Sequence, residues 1–351
     1  MQYNIFTIPV VLLFIGNGFG QLFYALNLKK KFPKEHNLTN SVVIFFLWLT
    51  AGFLYPLFYT TFSLNILLLQ IISMLVICVF TPGILVLILL YQFIIIKKFP
   101  ALKDQRNNNY LSEMNIHSDS NTNNLKVKRF KTDVYRKLLH LFPIIIIFLL
   151  WIYAVYIWDA IWKADEVWGF DGIQYAKTLI ITFGYAGIFV FAVLDYVRLS
   201  YIFPKHNLFY LLPNNVLNLL KKSLKRKEYF EFTKPASLVL AFVPLFLLFQ
   251  FSIFASAALI ATLGDAAASI FGLKFGKLKF PKKSDKTIMG YVMGFIVSFV
   301  LTCLTLLIFE PDLLFLKIVI IALGGALMFF LIDILNPILC AIVIGCLFYF
   351  I

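Results

Sequence analysis

Little of this sequence is charged, and little of it is reactive. Of 351 residues only 14% are charged, four are histidine and four are cysteine, against roughly 25% charged in a soluble domain. The cysteines, Cys78, Cys303, Cys340 and Cys346, all lie in apolar runs without CxxC spacing, which argues against a metal cluster or a disulfide framework. Acidic residues are scarcer than basic ones, 17 against 31, for a net charge of +14. No soluble basic domain with interleaved exposed aromatics accompanies that excess, so no nucleic-acid partner is expected. The pattern GxxxxGK[ST] and βαβ units are both missing, which removes a Walker A loop and a dinucleotide-binding fold. No basic region precedes the first apolar run and no convincing cleavage site follows it, so that run is expected to remain as a helix. No internal repeat stands out.

What is present is apolar. Hydrophobic residues make up 61% of the chain and the mean hydropathy is +0.89, where a soluble domain has roughly 45–50%. The composition predicts an all-α fold, a polytopic transmembrane helical bundle. Crossing a hydrocarbon core of about 30 Å takes roughly 17 to 25 apolar residues. Runs of that kind lie near 5–27, 40–62, 65–96, 138–157, 176–197, 236–251, 253–272, 289–308, 314–332 and 337–351, about ten spans. The third is over-long and contains Thr81-Pro82-Gly83, so it reads as one kinked span or a hairpin.

Charge decides between them, because lysine and arginine near helix ends favour the cytosolic side. With ten spans, segments 29–34, 97–137, 198–234 and 274–286 share one side and hold 28 of the 31 basic residues. A hairpin would put the first of these opposite the others, so a single kinked span is expected, with both termini away from the cytosol. Residues 98–135 are rich in Asn, Ser and charge and read as a flexible basic cytosolic linker. They separate an N-terminal three-helix part, 1–97, from a seven-helix part, 136–351.

Ionisable residues of the C-terminal part gather at the predicted cytosolic ends of its spans. Arg136, Lys137 and His140 start the fourth, Asp195 and Arg198 end the fifth, and Glu228, Glu231 and Ser237 precede the sixth. Asp265 lies inside the seventh, and Asp333 and Asn336 stand at the junction of the last two. Lysine and arginine at helix ends are commonly topology anchors, and Asp195 with Arg198 has the spacing of a helix pair. An aspartate within a span is different. It costs about 2.5–3.5 kcal/mol even on insertion scales, so its default reading is functional.

The surroundings of Asp265 indicate a ligand class. Gly264, Gly272 and Gly276 permit close backbone approach, the next loop carries Lys274, Lys277, Lys279, Lys282, Lys283 and Lys286, and Thr287 stands at a helix N-cap. A carboxylate beside glycines, lysines and a helix start fits a metal-bound polyphosphate, Mg²⁺ on the carboxylate and phosphate oxygens on lysines and amides.

The array "RKLLH", "DYVR", "GDAAASIFGLKFGK" and "KTIMG" resembles the CTP-dependent lipid alcohol kinases, which include dolichol kinase, phytol kinase and fungal-type diacylglycerol kinase and are related to phosphatidate cytidylyltransferases. The likeness covers roughly 136–351. Members of that family read Lys-Ser/Thr-x-Glu-Gly where this chain has Met289 before Gly290. The resemblance implies transfer of the γ-phosphoryl group of CTP to a polyprenol such as dolichol, with CTP, the lipid alcohol and the bilayer as partners and Mg²⁺ as cofactor. It implies catalytic roles for Asp265, Lys286 and Asp195, with Asp265 and Asp195 on the metal. Gly264, Gly272, Gly276, Lys283, Lys286, Thr287, Gly290, Arg136, Lys137, His140 and Arg198 would bind the nucleotide, with Glu228, Ser237, Asp333 and Asn336 as further candidates. It places the site on the cytosolic face of the endoplasmic reticulum in a eukaryote, or of the cell membrane in a prokaryote. Self-association is compatible with the sequence. Alternatives left open are a cytidylyltransferase releasing pyrophosphate, diacylglycerol or phytol as acceptor, a transporter and a silent scaffold.

Overall fold

In hydrocarbon no water satisfies the backbone, so an apolar chain must close its own hydrogen bonds as helix. The computed structural model, which describes residues 3–59, 64–107, 122–203, 206–224, 226–280, 286–328 and 336–350, is helical, and no strand is present among those residues. We number the helices α1 (Ile8–Lys31), α2 (Leu38–Phe58), α3 (Asn65–Lys98), α4 (Thr122–Ile152, continued by a π-helical stretch Tyr153–Ile161), α5 (Gly172–Ile202), α6 (Asn214–Ser223), α7 (Lys234–Leu248), α8 (Phe251–Phe275), α9 (Ile288–Phe309), α10 (Phe315–Met328) and α11 (Asn336–Phe350). Seven of them, α1 to α5, α8 and α9, are long and apolar enough to cross a membrane. The other three expected spans correspond to the shorter apolar helices α7, α10 and α11.

The third run is one continuous helix, as its charge pattern required. A π-helical turn, Val76–Phe80, precedes Pro82, and the Thr81 hydroxyl donates to the Val76 carbonyl at 2.7 Å. Helix also extends into the expected linker: residues 101–107 and 122–135 are helical.

Contacts divide the chain into two compact units, residues 1–120 with 145–240 and residues 121–144 with 241–351. In the first unit α1 packs on α2 where glycine removes bulk: a Cβ on Gly18 would lie 3.1 Å from that of Trp48, and one on Gly52 3.2 Å from that of Phe14. Phe14 meets Trp48 and Tyr185 at ring distances of 4.9 and 4.5 Å. Buried polar tips find partners there, Trp48 Nε1 on Gln21 and the Tyr185 hydroxyl on the Ala51 carbonyl. Outward positions such as Leu12, Phe23, Leu87 and Ile94 stay exposed and apolar, as a lipid-facing surface requires.

In the second unit α8 is the central element. Residues Phe251 to Ala258 are all buried. On α9 the buried face is small or hydroxylated except for Leu306 near its end: Gly290, Gly294, Ser298, Thr302 and Thr305 let helices approach closely where no water-driven force holds them. A π-helical turn, Ile260–Gly264, interrupts α8 directly before Asp265. Such turns insert a residue and re-aim those that follow.

Candidate functional site

Four ionisable residues of α4 share one face, because positions three, four and seven apart line up on a helix. They are Asp133, Arg136, Lys137 and His140, and the side chains of Asp133, Lys137 and His140 are buried. On α8 the residues Asp265, Ser269 and Gly272 likewise fall on one face. The two faces meet antiparallel in matched register. Lys137 Nζ donates to Asp265 Oδ2, and one turn away the Ser269 hydroxyl donates to Asp133 Oδ2. Asp133 Oδ1 accepts from Arg136 Nη2 at 2.8 Å. The Lys137–Asp265 pair is asymmetric: the lysine side chain is 5% exposed and the aspartate 45%.

The glycines of the same region are used by the fold. A Cβ on Gly290 would lie 2.7 Å from the Ala268 carbonyl oxygen and 3.4 Å from the Gly272 Cα, and one on Gly272 would lie 2.9 Å from Thr287 Oγ1. A Cβ on Gly276 would collide with the Gly272 carbonyl and the Thr287 hydroxyl. The close approach that the glycines permit is therefore helix against helix, α8 against α9, with the Thr287 hydroxyl filling the space between. Thr287 also caps α9, accepting from Gly290 N at 3.2 Å.

The basic loop between α8 and α9 is pinched at its base. Phe280 N donates to the Lys286 carbonyl and Ile288 N to the Leu278 carbonyl, both at 3.0 Å, so Lys279 and Thr287 stand opposite each other. Lys274, Lys277, Lys279 and Lys286 are all exposed around this neck. Asp265 sits two helical turns before Gly272, about 10 Å along the axis at 1.5 Å per residue. Lys283 and Asp333 lie outside the described residues, and of Asn336 only its place at the start of α11 is described.

Asp195 and Arg198 belong to the first unit, and their partners are internal. Both side chains are 1% exposed. Asp195 accepts from Arg198 Nε and Nη2 at 3.1 and 2.9 Å, and from Thr233 N and Oγ1 at 2.8 and 2.9 Å. Arg198 donates in turn to the carbonyls of Glu228, Tyr229 and Glu231. The pair thus clamps segment 228–233 onto the end of α5. His36 adds a further tie, with Nδ1 donating to the Phe230 carbonyl at 2.7 Å and Nε2 facing the Ser41 hydroxyl at 3.2 Å. Burial pushes the His36 pKa down, and Lys29 pushes it the same way against the effect of the Phe230 hydrogen bond. Arg106 is a second clamp, donating to Asn214, the Tyr210 carbonyl and Gln92; burial lowers its pKa below the ordinary value. Glu228 is buried, and Ser237 turns back to the Lys234 carbonyl at 2.8 Å.

Sequence reasoning thus missed Asp133, Ser269 and Thr233. The available signal was the spacing: 133 and 137 are offset by four, as are 265 and 269. Among the described residues no group of three or more His, Cys, Asp or Glu side chains forms a metal cage. A single half-exposed carboxylate is nonetheless what Mg²⁺ uses when waters and substrate phosphates supply the remaining ligands. No family model matches the chain, and neither does any curated protein or solved structure.

Proposed function

We propose that this chain is a multi-pass membrane enzyme that transfers the γ-phosphoryl group of CTP to a lipid alcohol, a polyprenol such as dolichol being the preferred acceptor. The observation that carries the reading is the Lys137–Asp265 pair: a carboxylate within an apolar helix, half uncovered by protein, held against a buried ammonium. A charge kept there at a cost of roughly 2.5–3.5 kcal/mol has a use. The ring of exposed lysines at the neck between α8 and α9 supplies positive charge within reach of a triphosphate anchored at Asp265.

Phosphoryl transfer needs positioning and charge neutralisation above all. In this reading the alcohol oxygen attacks the γ-phosphorus, the bond from that phosphorus to the β,γ-bridging oxygen breaks, and CDP leaves. The alcohol proton passes to the Asp265 carboxylate. Lys137 and Lys286 hold phosphate oxygens, while Thr287 caps α9 and fixes the loop that carries Lys286. Mg²⁺ held on Asp265 would neutralise phosphate charge. Asp195 and Arg198 serve as positioning residues through the clamp on segment 228–233. In this reading all ten apolar helices span the bilayer, and the segregation of 28 of 31 basic residues supports a nucleotide mouth on the cytosolic side, where a soluble nucleotide and a membrane alcohol can meet.

The test is direct. Purified protein incubated with γ-labelled CTP, Mg²⁺ and a panel of polyprenols, diacylglycerol and phytol should label one lipid and release CDP. Stoichiometric pyrophosphate with a CDP-linked lipid would instead make it a cytidylyltransferase.

A further inference from the structure

We propose that the hairpin joining α4 to α5 is a membrane-interface anchor, with Ile161, Trp162, Val167 and Trp168 seated among zwitterionic lipid headgroups. The proposal rests on the reading of α3, α4 and α5 as membrane spans and is independent of any chemistry at Asp265.

Those four side chains are 69, 60, 80 and 50% exposed, and the ties of the backbone around them fix their depth. Only residues 162–171 connect the end of the π-helical stretch at Ile161 to the start of α5 at Gly172. Asp159 Oδ2 accepts from Gly172 N at 2.7 Å, and Asn65 at the start of α3 donates to the Trp168 carbonyl at 2.5 Å. Trp158 stacks on Phe170 at a ring distance of 5.1 Å, with Tyr175 against both. The hairpin is therefore bound to the ends of three spans. Its short helix, Ala164–Trp168, is bounded by two left-handed residues, Lys163 at φ 50° and Gly169 at φ 69°. A lysine holds that conformation only where its surroundings over-determine it, and here Lys163 N is fixed on the Asp159 carbonyl at 2.9 Å.

Apolar side chains held at the ends of membrane spans lie at the boundary between headgroups and acyl chains. Tryptophan is favoured there, because its ring is apolar and its one N–H can meet a lipid oxygen. Ile152 and Tyr156, further back along the same helix, are also exposed, so the patch continues a lipid-facing surface. Charge selects the headgroup. The hairpin carries four carboxylates, Asp159, Asp165, Glu166 and Asp171, against Lys163 alone. Asp159 and Asp171 are used on the N–H groups of Gly172 and Gln174, while Asp165 and Glu166 stand in the short helix beside the tryptophans. Carboxylates at that level are attracted by the ammonium of a zwitterionic lipid and repelled by a net-negative surface.

The test places a nitroxide at Val167→Cys, in a chain whose four cysteines are replaced by alanine, and reads its collisions with oxygen and with a water-soluble nickel chelate. In phosphatidylcholine nanodiscs it should lie about 5–10 Å into the boundary between headgroups and acyl chains. In phosphatidylglycerol it should move outward, and Asp165→Asn with Glu166→Gln should restore the depth. Collisions dominated by the nickel chelate would make the hairpin a water-exposed loop, and protection from both reagents would mean that protein covers it; either result overturns the proposal, as does equal depth in the two lipids. A nitroxide at Leu87→Cys on α3 is the control: if the nickel chelate reaches it freely, the spanning reading itself falls. If the cysteine-free chain does not accumulate, quenching of tryptophan emission by lipids brominated near the headgroup decides. Trp162→Phe with Trp168→Phe should then lose most of the quenchable emission, and an unchanged quenchable emission would overturn the anchor.

Discussion

Among the described residues, the acid–base pairs Asp195–Arg198 and Lys137–Asp265 both involve a carboxylate on an apolar helix, and they differ in almost everything else. Asp195–Arg198 is closed: each side chain is 1% exposed, and the carboxylate accepts four hydrogen bonds, two from Arg198 and two from Thr233. Lys137–Asp265 is open on the acid side and follows a π-helical turn that redirects the residue. A buried charge needs its partners simply to exist. The closed pair has no exposed face left for a ligand, whereas the open pair leaves part of its carboxylate uncovered by protein, with a cation behind it. Ionisable residues in apolar segments thus come in two kinds, and exposure of the acid separates them better than residue type does.

The sharpest way to break the contrast is to remove Arg198. Arg198→Ala leaves Asp195 buried without its cation and takes a donor from three carbonyls of segment 228–231. A loss of about 3–5 kcal/mol is expected, a large share of the roughly 5–15 kcal/mol that holds a domain folded. The variant should accumulate poorly, and its melting in detergent should fall steeply. Arg198→Lys should rescue only part of this, because a point ammonium cannot reproduce the fork that reaches Asp195 and three carbonyls. Unchanged melting with lost CTP turnover would move Arg198 into the ligand site and dissolve the distinction.

The open pair should respond in the opposite way. Asn keeps the shape of Asp265 and an oxygen for the Lys137 ammonium, and the position is only half covered by protein. Asp265→Asn should therefore lower stability by about 1.5–3 kcal/mol, the range of a hydrogen bond to a charged group, and by less than Arg198→Ala. Turnover should fall at least about 10²-fold, the lower end for a lost acid–base or electrostatic contact. Melting curves and initial rates on the same preparation check both halves. Near-normal turnover at saturating Mg²⁺ would place the chemistry elsewhere.

Much of this was legible in the residues. The helical class followed from composition and the continuity of α3 from the sidedness of lysines, while the cost of a carboxylate in an apolar run singled out Asp265 as the residue to test. The partners were not legible for physical reasons. Asp133 stands at the end of a stretch whose Asn- and Ser-rich composition reads as linker, and Ser269 looks like one more small residue after three alanines; only the antiparallel register of α4 and α8 brings them together. The glycines illustrate a different limit. Gly272, Gly276 and Gly290 announce close approach, but a sequence does not say of what, and here it is α9 against α8 with Thr287 between them. Arg106 and Arg198 show a third. A count of basic residues assigns them to topology, while their burial and partners make them clamps.

The smallest expected effect sharpens the comparison on the closed side, through His36. A carbonyl can only accept, so the Nδ1 that faces Phe230 carries the proton, and in the neutral ring Nε2 accepts from the Ser41 hydroxyl. Protonation would turn Nε2 into a donor and bring a charge into a buried place beside Lys29. The folded pKa is accordingly lowered from the ordinary histidine value of 6.5. The unfolded chain therefore takes up the proton first as pH falls, and wherever the unfolded state binds more protons, stability rises with pH. The contribution of neutral His36 is fully present above about pH 6.5 and is lost as pH falls through the folded value. His36→Asn places an amide N–H where Nδ1 donates and cannot titrate. Thermal unfolding in detergent at pH 7.5 and 5.5 should show a smaller acid-induced drop in Tm for this variant than for the unaltered chain. An equal drop in both would remove His36 from the acid response of the clamp and leave Asp195 and Arg198 to hold segment 228–233 independently of pH in this range.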